Sequence, residues 1–510
     1  MLYAKLFGSI AAATLTFGAA FHVISQGQDP TTKQGGRKGQ GGGNGQGKRN
    51  YPAPVSAWNK GSLILGCPTD HSIGLAVHLN EESEAFVEYG KVGSTLNQKT
   101  SQYSVKPAAP AQITIDKLTP NTQYSYRLKY HKAGETNFET GEEHTFKTQI
   151  PAGKPFMFFV QGDSHPERYP KMNVPDLYER TLKSAAEQKP DFFLCLGDDF
   201  SVDNLRERTA ETVEGVYKKQ VPYLGIVGQS APIFLVNGNH EQASKANLDG
   251  TPNSVAVLAQ NARNRNFMQP APDSFYTGDE DKVDNIGLLR NYYAWTWGDA
   301  TFVVIDPYWH SKIAVDNALG TGPKEGKGGG KGNRDLWDIT LGTNQYNWLK
   351  HTLEQSKSKF KFVFVHHVHG TSRGGVEQAP FYEWGGKGRN GVDMFKEKRP
   401  GWDMPIHQLF VKNGVTIFFQ GHDHIFAKQE LDGVIYQSCP VPADATNELM
   451  NGDAYQSGDK LVGAGLVRVS VTPEKSKIEF LRSFQPAAEV DGHKHGEIAY
   501  SYEVKPRSKS

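Results

Sequence analysis

The sequence predicts an all-β sandwich over residues 52–150, followed by a larger α/β domain over residues 153–485. Two observations point to this division. In the first segment, short runs alternate apolar and polar residues with period two, which is typical of strands with one buried face. In the second segment, continuous apolar runs alternate with helical patterns, which indicates strands that are buried on both faces.

The flanking regions predict an exported protein. Residues 1–25 have the features of a secretory signal peptide, because no charged residue lies between Leu6 and Ile24. An uncleaved membrane anchor is the alternative, since this apolar stretch is nearly long enough to span a bilayer. Residues 26–51 include a glycine-rich, basic stretch, which predicts a flexible linker. Residues 486–510 are expected to form a polar, solvated tail. The expected location is the periplasm, the cell surface or the medium.

The composition excludes several classes of partner. The formal net charge is +1, so there is no nucleic-acid-binding signature and no general attraction to an anionic membrane. The only membrane contact expected is the possible N-terminal anchor. Cys67, Cys195 and Cys439 cannot form a disulfide scaffold, and they show no C-x-x-C zinc pattern. Cys195 lies within an apolar run and is expected in the core.

The predicted sandwich contains one distinctive turn region. The stretch "LTPNTQYSYRLKY" resembles the tyrosine-corner region of fibronectin type III domains, with matching residues at Leu118, Pro120, Thr122, Tyr124 and Tyr126. The resemblance implies a fibronectin type III-like sandwich of about 100 residues. Because no cluster of chemically active residues lies in this segment, we expect it to pack against or position the second domain.

Polar residues follow six apolar runs of the second segment. They are Asp163 and His165; Asp198 and Asp199; Asn239, His240 and Glu241; Asp306; His366, His367 and His369; and His422 and His424. Folds of the α/β class place their sites at the carboxyl ends of buried strands. Imidazole, carboxylate and amide groups suit Zn, Mn or Fe. The set is too large for one tetrahedral ion and large enough for two ions that share a bridging carboxylate.

These polar clusters form a series of motifs. In order, D-x-H, G-D, G-N-H-E, H and G-H-x-H resemble the motifs of the calcineurin-like metallophosphoesterase superfamily, over Pro52 to Ser483. A sandwich followed by such a domain is similar to the purple acid phosphatase arrangement. The resemblance implies that the second domain is a β-sandwich flanked by helices. It also implies two divalent or trivalent metal ions as cofactors, drawn from Fe, Zn and Mn.

The resemblance also implies a role for each matching residue. The implied ligands of the first metal are Asp163, His165 and His424. The implied ligands of the second metal are Asn239, His366 and His422, and Asp198 is the implied bridge between the two ions. The motif "HHVH" leaves a choice, and the family pattern favours His366 over His367.

The family pattern further implies a catalytic residue and substrate contacts. His240 is the expected catalytic residue, which protonates the leaving group or steadies the phosphoryl oxygens. Asn239 and His240 are expected to contact the substrate. His369 and Arg373 either face the substrate as well or belong to a surface loop.

One departure from purple acid phosphatases affects the choice of metal. Those enzymes have a glycine where this chain has His165, and a tyrosine ligand where it has Ser201. The histidine therefore stands in for the tyrosine, and neither a tyrosinate–iron site nor a strict iron requirement is expected.

Together these patterns predict an exported phosphoesterase that resembles an acid phosphatase. It is expected to hydrolyse small phosphomonoesters by in-line attack of a metal-bridging hydroxide. A phosphodiesterase or nucleotide hydrolase that uses the same site is one alternative, because the motifs define the chemistry and not the substrate. A catalytically inert binding or adhesion module is the other.

Overall fold

The structure is a computed structural model that describes residues 51–313, 335–368 and 373–507. The predicted signal peptide, nearly all of the predicted linker, and His369 lie outside the described residues. Residues Tyr51–Ser510 form one compact unit. Among the helices that the structure describes, none has the length and apolar character needed to span a membrane.

The first part of this unit consists of two antiparallel sheets. Its eight strands are β1 (Gly61–Gly66), β2 (Ile73–Leu79), β3 (Ser83–Lys91), β4 (Gln98–Lys99), β5 (Tyr103–Val105), β6 (Ala111–Ile115), β7 (Gln123–Lys132) and β8 (Glu139–Lys147). One sheet has the order β1-β2-β6, and the other has the order β4-β3-β7-β8, with β5 paired to β3. Alternate residues of β3 are buried, which agrees with the period-two pattern of its sequence.

A cluster of apolar side chains from both sheets forms the core of this part, including Leu75, Val87 and Leu128. Near the start of β7, the Tyr124 hydroxyl accepts a hydrogen bond from the Thr119 N–H at 2.9 Å. That bond ties a strand residue to the backbone a few positions earlier, as a tyrosine corner does. Membership of the fibronectin type III class stays a prediction.

The second part contains the remaining strands and the helices. Its strands are β9 (Phe156–Gln161), β10 (Phe192–Cys195), β11 (Ile233–Leu235), β12 (Thr277–Gly278), β13 (Lys282–Val283), β14 (Gly287–Leu288), β15 (Tyr293–Trp297), β16 (Ala300–Val304), β17 (Phe360–Phe364), β18 (Ile417–Gln420), β19 (Phe426–Leu431), β20 (Val434–Ser438), β21 (Asp459–Leu461), β22 (Gly465–Val471), β23 (Ser476–Arg482) and β24 (Ile498–Val504). Its helices are α1 (Pro175–Glu187), α2 (Ala210–Gly228), α3 (Val255–Asn266), α4 (Gly342–Gln355), α5 (Tyr382–Gly385), α6 (Phe395–Lys398) and α7 (Ile406–Lys412).

These strands form a second sandwich with helices on both outer faces. One sheet has the order β11-β10-β9-β22-β23-β24, and the other has the order β12-β15-β16-β17-β18-β20-β19-β21. Between the sheets lies a fully buried aromatic core that includes Phe158, Phe192, Phe302 and Phe362. Helices α1, α2 and α3 cover the first sheet, and α4 and α7 cover the second. The structure therefore has the β-sandwich flanked by helices that the family resemblance implies.

The N-terminal sheets pack against the helices of the second part. Strand β1 lies against α2, and the Tyr126 hydroxyl donates a 2.8 Å hydrogen bond to the Gln229 carbonyl. Gly228 lies where a Cβ would come within 3.1 Å of Ile64. These contacts fit the expected packing or positioning role.

The expectation of a solvated tail over residues 486–510 needs correction. Strand β24 pairs with β23 and adds an edge strand to the first sheet. Tyr500, Tyr502 and Val504 pack against the aromatic core from this edge. His495, which was also expected to be solvated, is half-buried and lies 2.5 Å from the Ser184 hydroxyl on α1.

Candidate metal centre

The carboxyl ends of parallel strands bring the predicted ligands together. In the first sheet, β9, β10 and β11 run parallel, and they lead into Asp163, Asp198 and Asn239. In the second sheet, β17 and β18 run parallel, and they lead into His366 and His422. Because parallel strands end at the same edge of their sheet, five separate chain segments deliver polar side chains to one place.

The first cluster consists of Asp163, His165 and His424, all buried. The His424 Nε2 atom lies 3.0 Å from Asp163 Oδ2 and 3.1 Å from His165 Nε2. The distance between His165 Nε2 and Asp163 Oδ2 is 3.4 Å. Two imidazole nitrogens and one carboxylate oxygen therefore converge on a single point, as the implied ligands of the first metal should.

The second cluster centres on the Nε2 atom of His366. This nitrogen lies 3.0 Å from Asn239 Oδ1, 3.1 Å from Asp198 Oδ2 and 3.3 Å from His422 Nδ1. Its other ring nitrogen, Nδ1, lies 2.8 Å from the Leu196 carbonyl. A hydrogen bond on Nδ1 orients the ring and leaves Nε2 as the coordinating atom.

One carboxylate oxygen lies between the two clusters. Asp198 Oδ2 is 3.1 Å from His366 Nε2 in the second cluster and 3.8 Å from His165 Nε2 in the first. The other oxygen, Oδ1, accepts the His240 N–H at 2.8 Å. This position suits a bridging ligand.

The choice between His366 and His367 now has a geometric basis. His367 also lies near His422, and the two rings stack with centroids 4.0 Å apart. Its Nδ1 atom, however, lies 2.7 Å from the Tyr308 hydroxyl. The His366 Nε2 atom contacts both the bridging carboxylate and the amide oxygen of Asn239, which favours His366 as the ligand.

Several of these residues have a strained backbone. The φ angles of His165, Asp198, His422 and His424 are 44°, 57°, 65° and 62°, in the left-handed region that residues with a Cβ seldom adopt. Each such residue costs on the order of 1–3 kcal/mol, and strain of this kind concentrates at functional sites. The tight turn before His422 needs Gly421, because a Cβ there would lie 2.6 Å from Asp163 Oδ1.

The charges of the cluster suit a cation. Burial alone would raise the pKa of Asp163 and Asp198, but the neighbouring histidines lower both below the ordinary range. Burial lowers the pKa of His424 to about 4, although Asp163 opposes this. At neutral pH the site therefore offers two ionised carboxylates and an unprotonated His424 imidazole. Burial would lower the pKa of His366 too, but the same carboxylates raise it to about 9, so a metal ion that binds there displaces a proton from this ring. This donor set fits the expected metal ions.

The buried carboxylate of Glu241 holds the two ligand loops together. Its Oε2 atom accepts the N–H groups of Gly238 and Asp198 at 2.7 and 3.1 Å. Its Oε1 atom accepts those of Asp199 and Phe200 at 2.9 and 3.1 Å. These four bonds fix the loops that carry Asp198 and Asn239.

Replacing Glu241 should therefore weaken both the fold and the metal site. We expect Glu241→Ala to lower the free energy of unfolding by about 3 kcal/mol or more, because it leaves four buried N–H groups without their acceptor. Metal affinity should fall about 10–100-fold, as for other groups that orient ligands. Denaturant titration and metal titration measure the two effects.

The buried Glu479, whose partners Arg468 and Lys477 lie far along the chain from the ligand motifs, provides the control. Glu479→Ala should reduce stability only, and equal metal affinities of the two variants would contradict the assignment.

The predicted catalytic residue borders both clusters. The His240 Nε2 atom lies 3.7 Å from Asp198 Oδ2, and Nδ1 lies 2.9 Å from Asp203 Oδ1. Burial would lower the pKa of His240, but Asp198 and Asp203 raise it to about 10. The side chain is 17% exposed, so it is partly accessible from solvent.

Arg373, a predicted substrate contact, takes part in a structural contact. Its Nη1 group donates to the His422 carbonyl at 2.7 Å and to Asp423 Oδ1 at 3.2 Å. Asp423 also accepts the Tyr455 hydroxyl at 2.6 Å. In this structure, Arg373 therefore braces the loop that carries His422. A role in substrate binding stays a prediction, as it does for His369.

Several residues of the site were missed by the sequence analysis. Glu167 contacts His165 Nδ1 at 2.7 Å, Arg168 lies 3.3 Å from His240 Nε2, and Asp203 pairs with His240. Glu167 and Arg168 directly follow the D-x-H motif, so their position was a usable signal. Asp203 lies 37 residues from His240, and no local pattern marks it.

Comparison with known proteins agrees with this geometry. The model of the calcineurin-like phosphoesterase family matches residues 156–426, slightly more than half of the chain. The chain belongs to this family, and it is therefore a metal-dependent phosphoesterase. No curated protein sequence matches the chain.

Solved structures support the fold assignment. A structure of PhoD is 15% identical, with a TM-score of 0.59, and the match covers 87% of this chain and 90% of that one. A structure of GAP50, described as the anchor in the inner membrane complex of Plasmodium, is 13% identical, with a TM-score of 0.37. It covers 70% of this chain and 90% of that one. At this low identity, the PhoD match shows a common fold only.

Proposed function

We propose that the protein is an exported dimetal phosphoesterase that hydrolyses small phosphomonoesters. The observation that carries the proposal is the position of Asp198, whose Oδ2 atom lies within 3.1 Å of one ligand cluster and 3.8 Å of the other. A carboxylate in that position can serve two ions at once. Two such ions, when bound, activate water and neutralise charge on the phosphoryl group.

The proposed ligand assignment follows the two clusters. Asp163, His165 and His424 hold one ion, and Asn239, His366 and His422 hold the other. Glu167 orients the His165 ring through its 2.7 Å contact with Nδ1. The Leu196 carbonyl does the same for His366. Fe, Zn and Mn all accept this mixture of imidazole, carboxylate and amide ligands.

His240 is proposed to act on the leaving group. Its Nδ1 atom is held by Asp203, so Nε2 is the atom that faces the site. An imidazole that holds a proton on Nε2 can donate it to the departing ester oxygen. Asn239, the residue before His240, is proposed to contact the substrate as well.

Export and the acid phosphatase-like arrangement also belong to this proposal. Export is supported by the uncharged apolar stretch from Leu6 to Ile24. The purple acid phosphatase-like arrangement is supported by a two-sheet N-terminal part that packs on helix α2. With His165 in place of a tyrosine ligand, an iron-loaded sample should lack the purple colour of those enzymes.

A turnover assay tests the proposal. The metal-loaded protein should hydrolyse aryl and alkyl phosphomonoesters faster than matched diesters. A strong chelator should abolish turnover, and Zn, Mn or Fe should restore it. Full activity in metal-free protein would contradict the proposal. Faster hydrolysis of diesters would identify a phosphodiesterase instead, and metal binding without any turnover would identify an inert binding module.

A further inference from the structure

Arg168 lies beside His240, on a short turn that directly follows the proposed ligand His165. The turn covers Pro166–Arg168. The Arg168 N–H donates to the His165 carbonyl at 2.9 Å, and the Arg168 carbonyl accepts the Lys171 N–H at 3.0 Å. The backbone at Arg168 is therefore held in place relative to the first ligand cluster.

The guanidinium lies beside His240. Its Nη2 atom lies 3.3 Å from His240 Nε2, and Nη1 lies 3.4 Å from the Met172 sulfur. Nε lies 3.4 Å from Glu167 Oε1. The side chain is 31% exposed, so it is partly accessible from solvent.

The charge of Arg168 is only partly balanced by the protein. Among the described residues, Glu167 is the one carboxylate within 4.0 Å of the guanidinium. That carboxylate makes a shorter contact with His165, at 2.7 Å. An arginine whose terminal nitrogens lack a carboxylate partner, beside a phosphoester site, has the geometry to pair with an anion.

We propose that Arg168 binds a non-bridging phosphoryl oxygen of the substrate and thereby favours phosphomonoesters over phosphodiesters. This inference rests on the proposed function. A monoester dianion keeps three terminal oxygens and two negative charges, whereas a diester has two such oxygens and one charge. If two terminal oxygens were taken up by the metal site, only the monoester would keep a third terminal oxygen for Arg168.

The first test uses calorimetry to measure the binding of inorganic phosphate to the metal-loaded protein. We expect Arg168→Met to weaken phosphate binding about 10–100-fold, since hydrogen bonds to charged groups are among the stronger ones. The matched control is Lys171→Met, which removes an exposed positive charge three residues along the same segment. Its affinity should equal that of the wild type. Unchanged phosphate affinity in Arg168→Met, with metal content intact, would overturn the proposal.

The second test separates selectivity from a structural effect. With matched aryl esters, Arg168→Met should lose far more kcat/KM on the monoester than on the methyl diester. Added guanidinium should partly restore the monoester rate of Arg168→Ala, which a merely misfolded site would not permit. Equal losses on both esters would overturn the assignment. If the wild type hydrolyses neither ester, the proposed function fails, and the phosphate-binding result still decides the role of Arg168.

Discussion

Asp198→Ala is expected to lose both metal ions together and at least about a thousandfold in turnover. A bound metal supplies several kcal/mol of transition-state stabilisation, and each 1.36 kcal/mol corresponds to a factor of ten in rate. The loss should be joint because Asp198 Oδ2 lies beside His366 of one cluster and His165 of the other. Metal analysis of the purified variant and turnover of an aryl phosphate measure the two effects.

The neighbouring aspartate supplies a matched control. Asp199 is equally buried, but its Oδ1 atom accepts hydrogen bonds from Gln161 and Ser164 at 2.9 and 2.5 Å. Burial raises the pKa of Asp199 well above its ordinary value, and an amide at this position keeps an oxygen that can accept both bonds. Asp199→Asn should therefore keep both ions. Retention of one ion by Asp198→Ala, with turnover near that of the wild type, would contradict the bridging role.

The site could be predicted from sequence to the extent that its parts are local. Each strand-to-motif unit is a continuous segment, such as the run that ends at Asp163 or the one that ends at His422. Buried strands give unbroken apolar runs, and the ligands follow within a few residues. Convergence of the units then follows from parallel strands.

The parts that the sequence did not reveal depend on long-range contacts. The pairing of Asp203 with His240 joins two loops from different strands. The family pattern favours His366 over His367, but the physical reason, that the His366 ring reaches Asn239 and Asp198, is also a long-range contact. A local pattern cannot distinguish such contacts.

The fold shows the same division between local and long-range information. In the segment that forms β24, Ile498, Tyr500, Tyr502 and Val504 alternate with small or polar residues. This segment follows a polar, glycine-containing stretch and lies at a sheet edge, where burial is partial, so its pattern is a weak signal for a strand. The sequence of helix α2 has no single apolar face, because the helix packs against the N-terminal sheet, the first sheet of the second sandwich and two helices. A helix buried on several sides lacks the single apolar stripe on which sequence recognition relies.

His240→Asn should keep both metal ions and slow the hydrolysis of alkyl phosphates about 10²–10⁴-fold, the usual contribution of a positioned general acid. The physical reason is the leaving group. An alkoxide is strongly basic, so its departure depends on proton donation. A nitrophenoxide leaves without assistance. Asp198 and Asp203 overcome the effect of burial and raise the pKa of His240 to about 10, and the hydrogen-bond partner Asp203 is not a proposed metal ligand, so it can favour the protonated ring when the ions are bound.

Two further variants serve as a second test and as a control for this prediction. Asp203→Asn weakens the partner that holds His240 Nδ1, and it should reproduce the leaving-group dependence of His240→Asn at smaller amplitude. His351→Asn changes an exposed histidine of α4 and should leave every rate unchanged.

The decisive measurement is the rate of wild type and His240→Asn across phosphomonoesters whose leaving groups have graded pKa values. If His240 donates a proton, the wild-type rate should depend only weakly on leaving-group pKa, because the developing charge is neutralised as the bond breaks. The variant should show a steep decline toward basic leaving groups, with the two lines meeting near the nitrophenyl ester. Parallel lines would mean that His240 only binds the phosphoryl oxygens, and loss of metal would mean that it only supports the Asn239 loop. The slope therefore reports the proton transfer itself, which neither binding nor folding can imitate.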